Sequence, residues 1–196
     1  SLLVRPLYAD SIVVEYQEPL DASFRADLHI SLATHELRKV HDFMSSNSCT
    51  ALVTDREGTE TYKQAVCLQF TVTSGSAWWS SGALINNPEH KPYVYTAGHN
   101  IVEAEWATRT IFYFNYEVPA QDETFQPTNQ LTISGSTLLA MDTDVDFALV
   151  ELNKMPPAEY RPYYAGWTRE TNPKGPFMCI QHPYGDVKKV SFVNSI

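Results

Sequence analysis

Tyr93-Val94-Tyr95-Thr96-Ala97-Gly98-His99-Asn100 is the stretch on which the reading of this 196-residue chain turns. Its first four residues are aromatic or β-branched, which predicts a short strand on a half-buried pleated surface. The strand runs into small residues and presents His99 at its exit. A general base must be held rigidly and still be reachable, and a strand exit meets both demands. Taken alone, the stretch reads more readily as a capping or surface histidine in a loop.

Outward from it the same composition recurs in short runs. Ser11–Gln17, Gln64–Thr73, Thr110–Tyr116, Gln130–Ala140 and Phe147–Leu152 are dense in Val, Ile, Tyr, Phe and Thr. Turn chemistry separates them at Asp55–Gly58, Asn86-Asn87-Pro88, Pro119–Pro127, Pro156-Pro157 and Tyr184-Gly185-Asp186. Short helical pieces are expected at Thr34–Phe43 and Asn100–Trp106. Many short strands with frequent turns predict an all-β sandwich or barrel. Trp78-Trp79 is expected in the core or at a barrel rim. Soft boundaries fall at Ser45–Ser48, a small polar stretch, and at Asn153–Arg161, where two prolines break regular structure.

With 43% hydrophobic residues the chain can build a core and is neither disordered nor fibrous. A net charge of −9 argues against nucleic acid or an anionic membrane as the main partner, because both reward clustered Lys and Arg. No apolar run approaches the roughly 20 residues of a membrane span. The start at Ser1 without Met suggests a processed or trimmed piece. Cys49, Cys67 and Cys179 are too few and too scattered for a CxxC metal site. They read as buried free thiols, or as one pair with one left over.

A second chemical signal is Asp142-Thr143-Asp144-Val145-Asp146-Phe147-Ala148-Leu149-Val150-Glu151-Leu152, in which Asp146 leads directly into an apolar strand. Such a half-desolvated carboxylate needs a partner. The Nδ1–H of a histidine suits it, since the pair fixes the tautomer and stabilises the imidazolium. The other reading is a calcium loop, but Ala148 stands where an EF-hand loop needs Gly, and the terminal Glu is missing. No metal site is expected.

Together these motifs resemble the chymotrypsin/trypsin-like serine proteases. Ser80–Asn87 followed by Pro92–Asn100 is similar to that family's strand pair leading to the catalytic His, and Asp146-Phe147-Ala148-Leu149 to its Asp strand. Phe114-Asn115-Tyr116-Glu117, Ala165-Gly166-Trp167 and the run from Gln181 to Ser191 narrow the resemblance to the bacterial lysyl endopeptidase-like branch, over about Ser48–Ile196. Ala9–Tyr16 and Leu28-His29-Ile30 look like the end of a propeptide.

The resemblance implies a trypsin-like first β-barrel at 48–152 and an inter-barrel linker with the opening strands of a second barrel at 153–196. It also implies a β-rich, propeptide-like N-terminal segment at 1–47. It implies His99 and Asp146 as catalytic residues, and Trp167 and His182 near the substrate, the plainer reading being packing for Trp167 and a turn for His182. No cofactor is implied. The implied partners are a peptide or protein substrate and the remainder of the protease beyond Ile196, with a secreted or cell-surface location.

Two departures stand out. The family's Cys before the strand Gly and its Cys after the catalytic His are here Ser81 and Asn100, so both halves of one disulfide are absent together. No Gly-x-Ser-Gly run occurs, and the only serines after Asp146 are Ser191 and Ser195, neither in a nucleophile context. The expectation is a fragment of a secreted serine endopeptidase that carries base and acid without nucleophile. The rival is a non-catalytic surface binding or adhesion module on the same barrel. The hairpin around Tyr184-Gly185-Asp186 is expected to dock on a second chain or under the N-terminal segment. Cys49 is expected to seek a partner beyond residue 196.

Overall fold

The computed structural model describes residues 3–5, 7, 9–25, 27–34, 50–119 and 131–194. Ten strands appear: β1 Ala51–Leu52, β2 Val66–Val72, β3 Ala77–Ile85, β4 Tyr93–Thr96, β5 Thr110–Tyr113, β6 Thr132–Ser134, β7 Ser136–Asp142, β8 Phe147–Leu152, β9 Phe177–Gln181 and β10 Lys189–Val193. One short helix, α1, spans Ala104–Thr108. The expected strands at Tyr93–Thr96 and Phe147–Leu152 match in both bounds. The Asn100–Trp106 expectation resolves into a 3-10 turn at Gly98–Asn100 followed by α1. The Thr34–Phe43 helix, from residue 35 onward, and the Ser45–Ser48 boundary lie outside the described residues.

Seven strands form one antiparallel sheet in the order β6-β5-β2-β3-β4-β8-β7. Its two edges are halves of one continuous segment. β6 pairs with β5 and β7 pairs with β8, with only Gly135 between them. The ladder therefore runs round into a barrel, closed by a bent strand. Closure removes the unpaired edges that an open sheet would expose. Gly135 makes the corner possible. It sits at φ +78°, and a Cβ there would collide with Asn153 Nδ2 and stand 3.2 Å from Thr108 O.

Alternation along the strands sends Cys67, Leu84, Val94, Phe112, Ile133, Ala148, Val150 and Leu152 into the barrel core, with Ile101 and Phe114. On the outside of β2 and β5, Leu68, Ile111 and Tyr113 form a second cluster with Phe70, Trp79, Tyr116 and Leu3. Both tryptophans are half-buried: Trp78 meets Trp106 edge-on at 4.8 Å, and Trp79 packs on Phe70 at 4.3 Å.

The β9–β10 hairpin departs from its expected docking. It takes β1 as its third strand, with Val190 opposite Ala51 and Lys189 opposite Leu52. It also seats on the barrel wall. Val53 N–H donates to Lys188 O at 3.2 Å and Lys188 N–H to Tyr116 O at 3.0 Å. Val187 and Val190 are buried by this packing, while Phe192 stays 55% exposed. A hairpin is marginal by itself, and here the chain's own barrel covers one of its faces.

The N-terminal segment also differs from expectation. Ser11–Gln17 forms no strand, and no strand or helix occurs among the described residues of 3–34. Ile12, Val13 and Val14 are exposed, Val13 by 91%. β-branched composition favours extended backbone, but a strand exists only where a neighbour accepts its hydrogen bonds.

Candidate active site

Antiparallel pairing of β4 with β8 sets Thr96 opposite Ala148. The exit of β4 therefore lies beside the entrance of β8, and residues 47 positions apart meet there. His99 Nδ1 stands 2.9 Å from both Oδ1 and Oδ2 of Asp146. A carboxylate only accepts, so Nδ1 carries the proton and donates it, which leaves the lone pair on Nε2. The backbone N–H of His99 donates to Oδ1 at 3.0 Å. That bond first, and the imidazole bond second, hold the Asp146 carboxyl below its ordinary range. The side chains are 71% and 50% exposed. An ion pair so exposed to solvent adds little to stability, so the backbone has to hold its geometry.

The backbone does so through a compact turn. β7 and β8 close with Asp142 opposite Phe147. Asp142 Oδ1 accepts from the backbone N–H groups of Asp144 at 2.8 Å and Val145 at 3.3 Å. The turn delivers Asp146 in the left-handed region at φ 53°, which Asp tolerates better than most residues. Asp142 thus spends its carboxylate on the turn. No group of three or more His, Cys, Asp or Glu is arranged to hold a metal ion among the described residues.

The two residues assigned to substrate fall in different environments. Trp167 is 66% exposed, just after Ala165, whose backbone bridges Ile85. His182 is 3% exposed and presents almost nothing to solvent. Its backbone N–H donates to Ser81 Oγ at 2.8 Å, and its Nδ1 lies 2.9 Å from Asp186 O, a contact that requires a proton on Nδ1. Nε2 is buried with no hydrogen-bond partner. Burial first, and the positive charge of Lys188 second, push this imidazole down to about 3. It is a neutral ring in the joint between hairpin and barrel. The Ser81 hydroxyl, at a position where the resemblance leads one to expect a cysteine, fastens the hairpin to the barrel wall.

Beside it lies a buried lysine that the sequence reading missed. Lys188 is fully buried, and its Nζ donates to Lys63 O at 2.7 Å and approaches Glu117 Oε2 at 3.4 Å. Glu117 also pairs with Lys63. Burial lowers the Lys188 ammonium, with Glu117 opposing. Cys67 and Cys179 are free; Cys49 lies outside the described residues. Burial pushes the Cys67 thiol up to about 12, so it is an inert core residue.

A family model described as the C-terminal domain of lysyl endopeptidase matches residues 43–196. The chain belongs to the lysyl endopeptidase family. A lysyl endopeptidase of Pseudomonas aeruginosa is 29% identical over 163 residues, which cover 76% of this chain and 35% of that protein. The chain thus spans about a third of the length of that relative. Among solved structures, the protease Anisep of Arthrobacter nicotinovorans is similar with 18% identity and a TM-score of 0.47, over 66% of this chain and 63% of that one. A thermostable serine protease, AL20, from an extremophilic microorganism is similar with 12% identity and a TM-score of 0.46, over 67% and 66%. The strands described above agree with the all-β barrel expected from the sequence. Among the described residues, no helix is long and apolar enough to cross a membrane.

Proposed function

We propose that this chain carries the general base and its orienting acid for a serine endopeptidase of the lysyl endopeptidase type. The observation that carries this reading is the contact of His99 Nδ1 with both oxygens of Asp146 at 2.9 Å. With Nδ1 donating, Nε2 is the base. A serine hydroxyl brought against it yields its proton as the oxygen attacks a peptide carbonyl, and His99 then returns that proton to the leaving amine. Asp146 holds the tautomer and stabilises the imidazolium.

No Gly-x-Ser-Gly run occurs in these 196 residues, and a serine nucleophile supplied by further polypeptide is part of the proposal. Residues 1–47 are proposed as a propeptide-like flank, 48–152 as the first barrel, and 153–196 as the passage into the second. The exposed Trp167 is the candidate contact for a peptide substrate. A secreted or cell-surface location belongs to the same proposal.

The test is peptide hydrolysis by a longer protein that contains this chain, assayed on lysyl and arginyl substrates. Asp146→Asn and His99→Ala are each expected to lower kcat by roughly 10⁴. Full activity in either variant removes the pair from the chemistry. No hydrolysis by the longer protein, with peptide binding retained, supports the non-catalytic binding or adhesion module instead.

A further inference from the structure

We propose that Gln69 is a positioning residue for His99: from inside the barrel its amide holds the link between Thr96 and Asn100, and that hold keeps the imidazole outside turned onto Asp146. The inference rests on the reading of His99 as the base. Gln69 lies in β2 on the inward side that also carries Cys67, and none of it reaches solvent. An apolar barrel has no need of an amide there, because a buried polar group costs free energy unless it is hydrogen-bonded. The fold makes room for it nonetheless. Gly82 lies on the neighbouring β3, and a Cβ there would collide with Gln69 Nε2 and stand 3.0 Å from Gln69 Cδ.

What the amide holds is the wall from which His99 projects. Gln69 Oε1 accepts from Ser80 Oγ at 3.0 Å and lies 3.0 Å from Thr96 Oγ1. The Thr96 hydroxyl also reaches Ser81 O at 2.8 Å and accepts from Asn100 Nδ2 at 3.4 Å. One polar cluster thus joins β2, β3 and β4 to the 3-10 turn at Gly98–Asn100. Thr96 and Asn100 are both buried and bracket His99, whose side chain is 71% exposed. The exposed pair with Asp146 cannot fix the turn against solvent by itself. Gln69 Nε2, meanwhile, has no hydrogen-bond partner. An amide that leaves a buried donor orphaned adds little to stability, so its place in the core has another reason. That reason is the acceptor it sets beneath the turn.

The experiment is NMR on the 196-residue chain, with urea unfolding beside it. It reads the downfield signal of the His99 Nδ1 proton and the His99 ring-nitrogen shifts, which report the tautomer. Gln69→Met keeps the length of the side chain and removes the amide. It removes the orphaned donor as well, so the urea midpoint is expected to stay near that of the parent. The Nδ1 proton signal is expected to broaden or vanish, and the ring nitrogens to show a mixture of tautomers. Thr96→Val cuts the same link one step nearer the turn, so it reports even if Gln69→Met fails to fold. Thr96→Ser keeps the hydroxyl and is expected to retain both signals. Thr71→Val is the control: Thr71 is equally buried in β2, but its hydroxyl pairs with that of Thr110 at 2.9 Å. It is expected to lower the urea midpoint and leave the His99 signals unchanged. In a longer protein that cleaves peptides, Gln69→Met is expected to lower kcat about tenfold or more at unchanged KM.

Parent-like His99 signals in folded Gln69→Met, or in folded Thr96→Val, would overturn the inference. The turn's own bonds, Asn100 N–H to Ala97 O and Ile101 N–H to Gly98 O at 3.1 Å each, would then be enough to place the imidazole. Equal disturbance of His99 by Thr71→Val would also overturn it, since the effect would be one of general stability. Neither signal needs substrate or nucleophile. If both change while a longer protein shows no hydrolysis, the protease reading fails and the positioning role stands.

Discussion

His182 is a residue whose chemistry changes between chain and fold. Free in solution its imidazole would titrate near neutrality, but its burial between hairpin and barrel, with Lys188 nearby, brings it down to about 3. A depressed histidine has a definite linkage sign. Above about pH 6.5 neither state binds the proton and the native contacts are undiminished. Between about 6.5 and 3 the unfolded chain takes up a proton that the folded chain refuses, so stability falls as pH falls, at up to about 1.4 kcal/mol per unit. His182→Asn keeps a donor for Asp186 O and removes the titration. Urea unfolding at a series of pH values from 7.5 to 4 is expected to show a flatter acid slope in the variant. An identical slope would place the acid sensitivity in other groups.

At the scale of elements, the β9–β10 hairpin is held to the barrel by a charge arrangement as well as by Val187 and Val190. Lys188 reaches through the wall to Lys63 O and Glu117, whose single carboxylate faces both the Lys188 and the Lys63 ammonium groups. Removing that carboxylate leaves a buried ammonium without a counter-charge, which typically costs about 3–5 kcal/mol. Glu117→Ala is therefore expected to lower the urea midpoint sharply, and Glu117→Ala combined with Lys188→Met to recover most of the loss. A Glu117→Ala chain as stable as the parent would mean that the hairpin does not depend on the pair. A further fastening, Ser81 Oγ to His182 N–H, ties β3 to the residue after β9. The segment before β1 shows the converse: with exposed Val13 and Val14 and no ladder partner, a strand-like composition yields no strand.

For the whole molecule, the decisive feature is that β6 and β7 are one strand bent at Gly135, which joins the two edges of the sheet. Gly135→Val places a β-branched residue at φ +78° and drives its Cβ toward Thr108 O. The backbone conformation alone costs about 1–3 kcal/mol. The expected outcome is a lower Tm with hydrogen exchange accelerated first in β6 and β7, while β9 and β10 keep their protection. Uniform acceleration would show that the corner is no weaker than the rest of the barrel. Within the same sheet β4 pairs directly with β8, so the candidate site depends on that long-range pairing.

The sequence by itself determined the strands with clean composition, such as Tyr93–Thr96 and Phe147–Leu152, because β-branched and aromatic residues carry their preference locally. It also marked His99 and Asp146, since each stands in a recognisable local context. Only the tertiary structure decided that Ser11–Gln17 stays unpaired, because a strand needs a neighbour that its own residues do not specify. Tertiary packing also buried His182 between hairpin and barrel and took Lys188 out of water, because burial depends on what folds over a residue. Gly98 is one glycine among eight in the sequence. The 2.9 Å that would separate a Cβ there from the carbonyl of Asp142 exists only once β4 and β8 are paired.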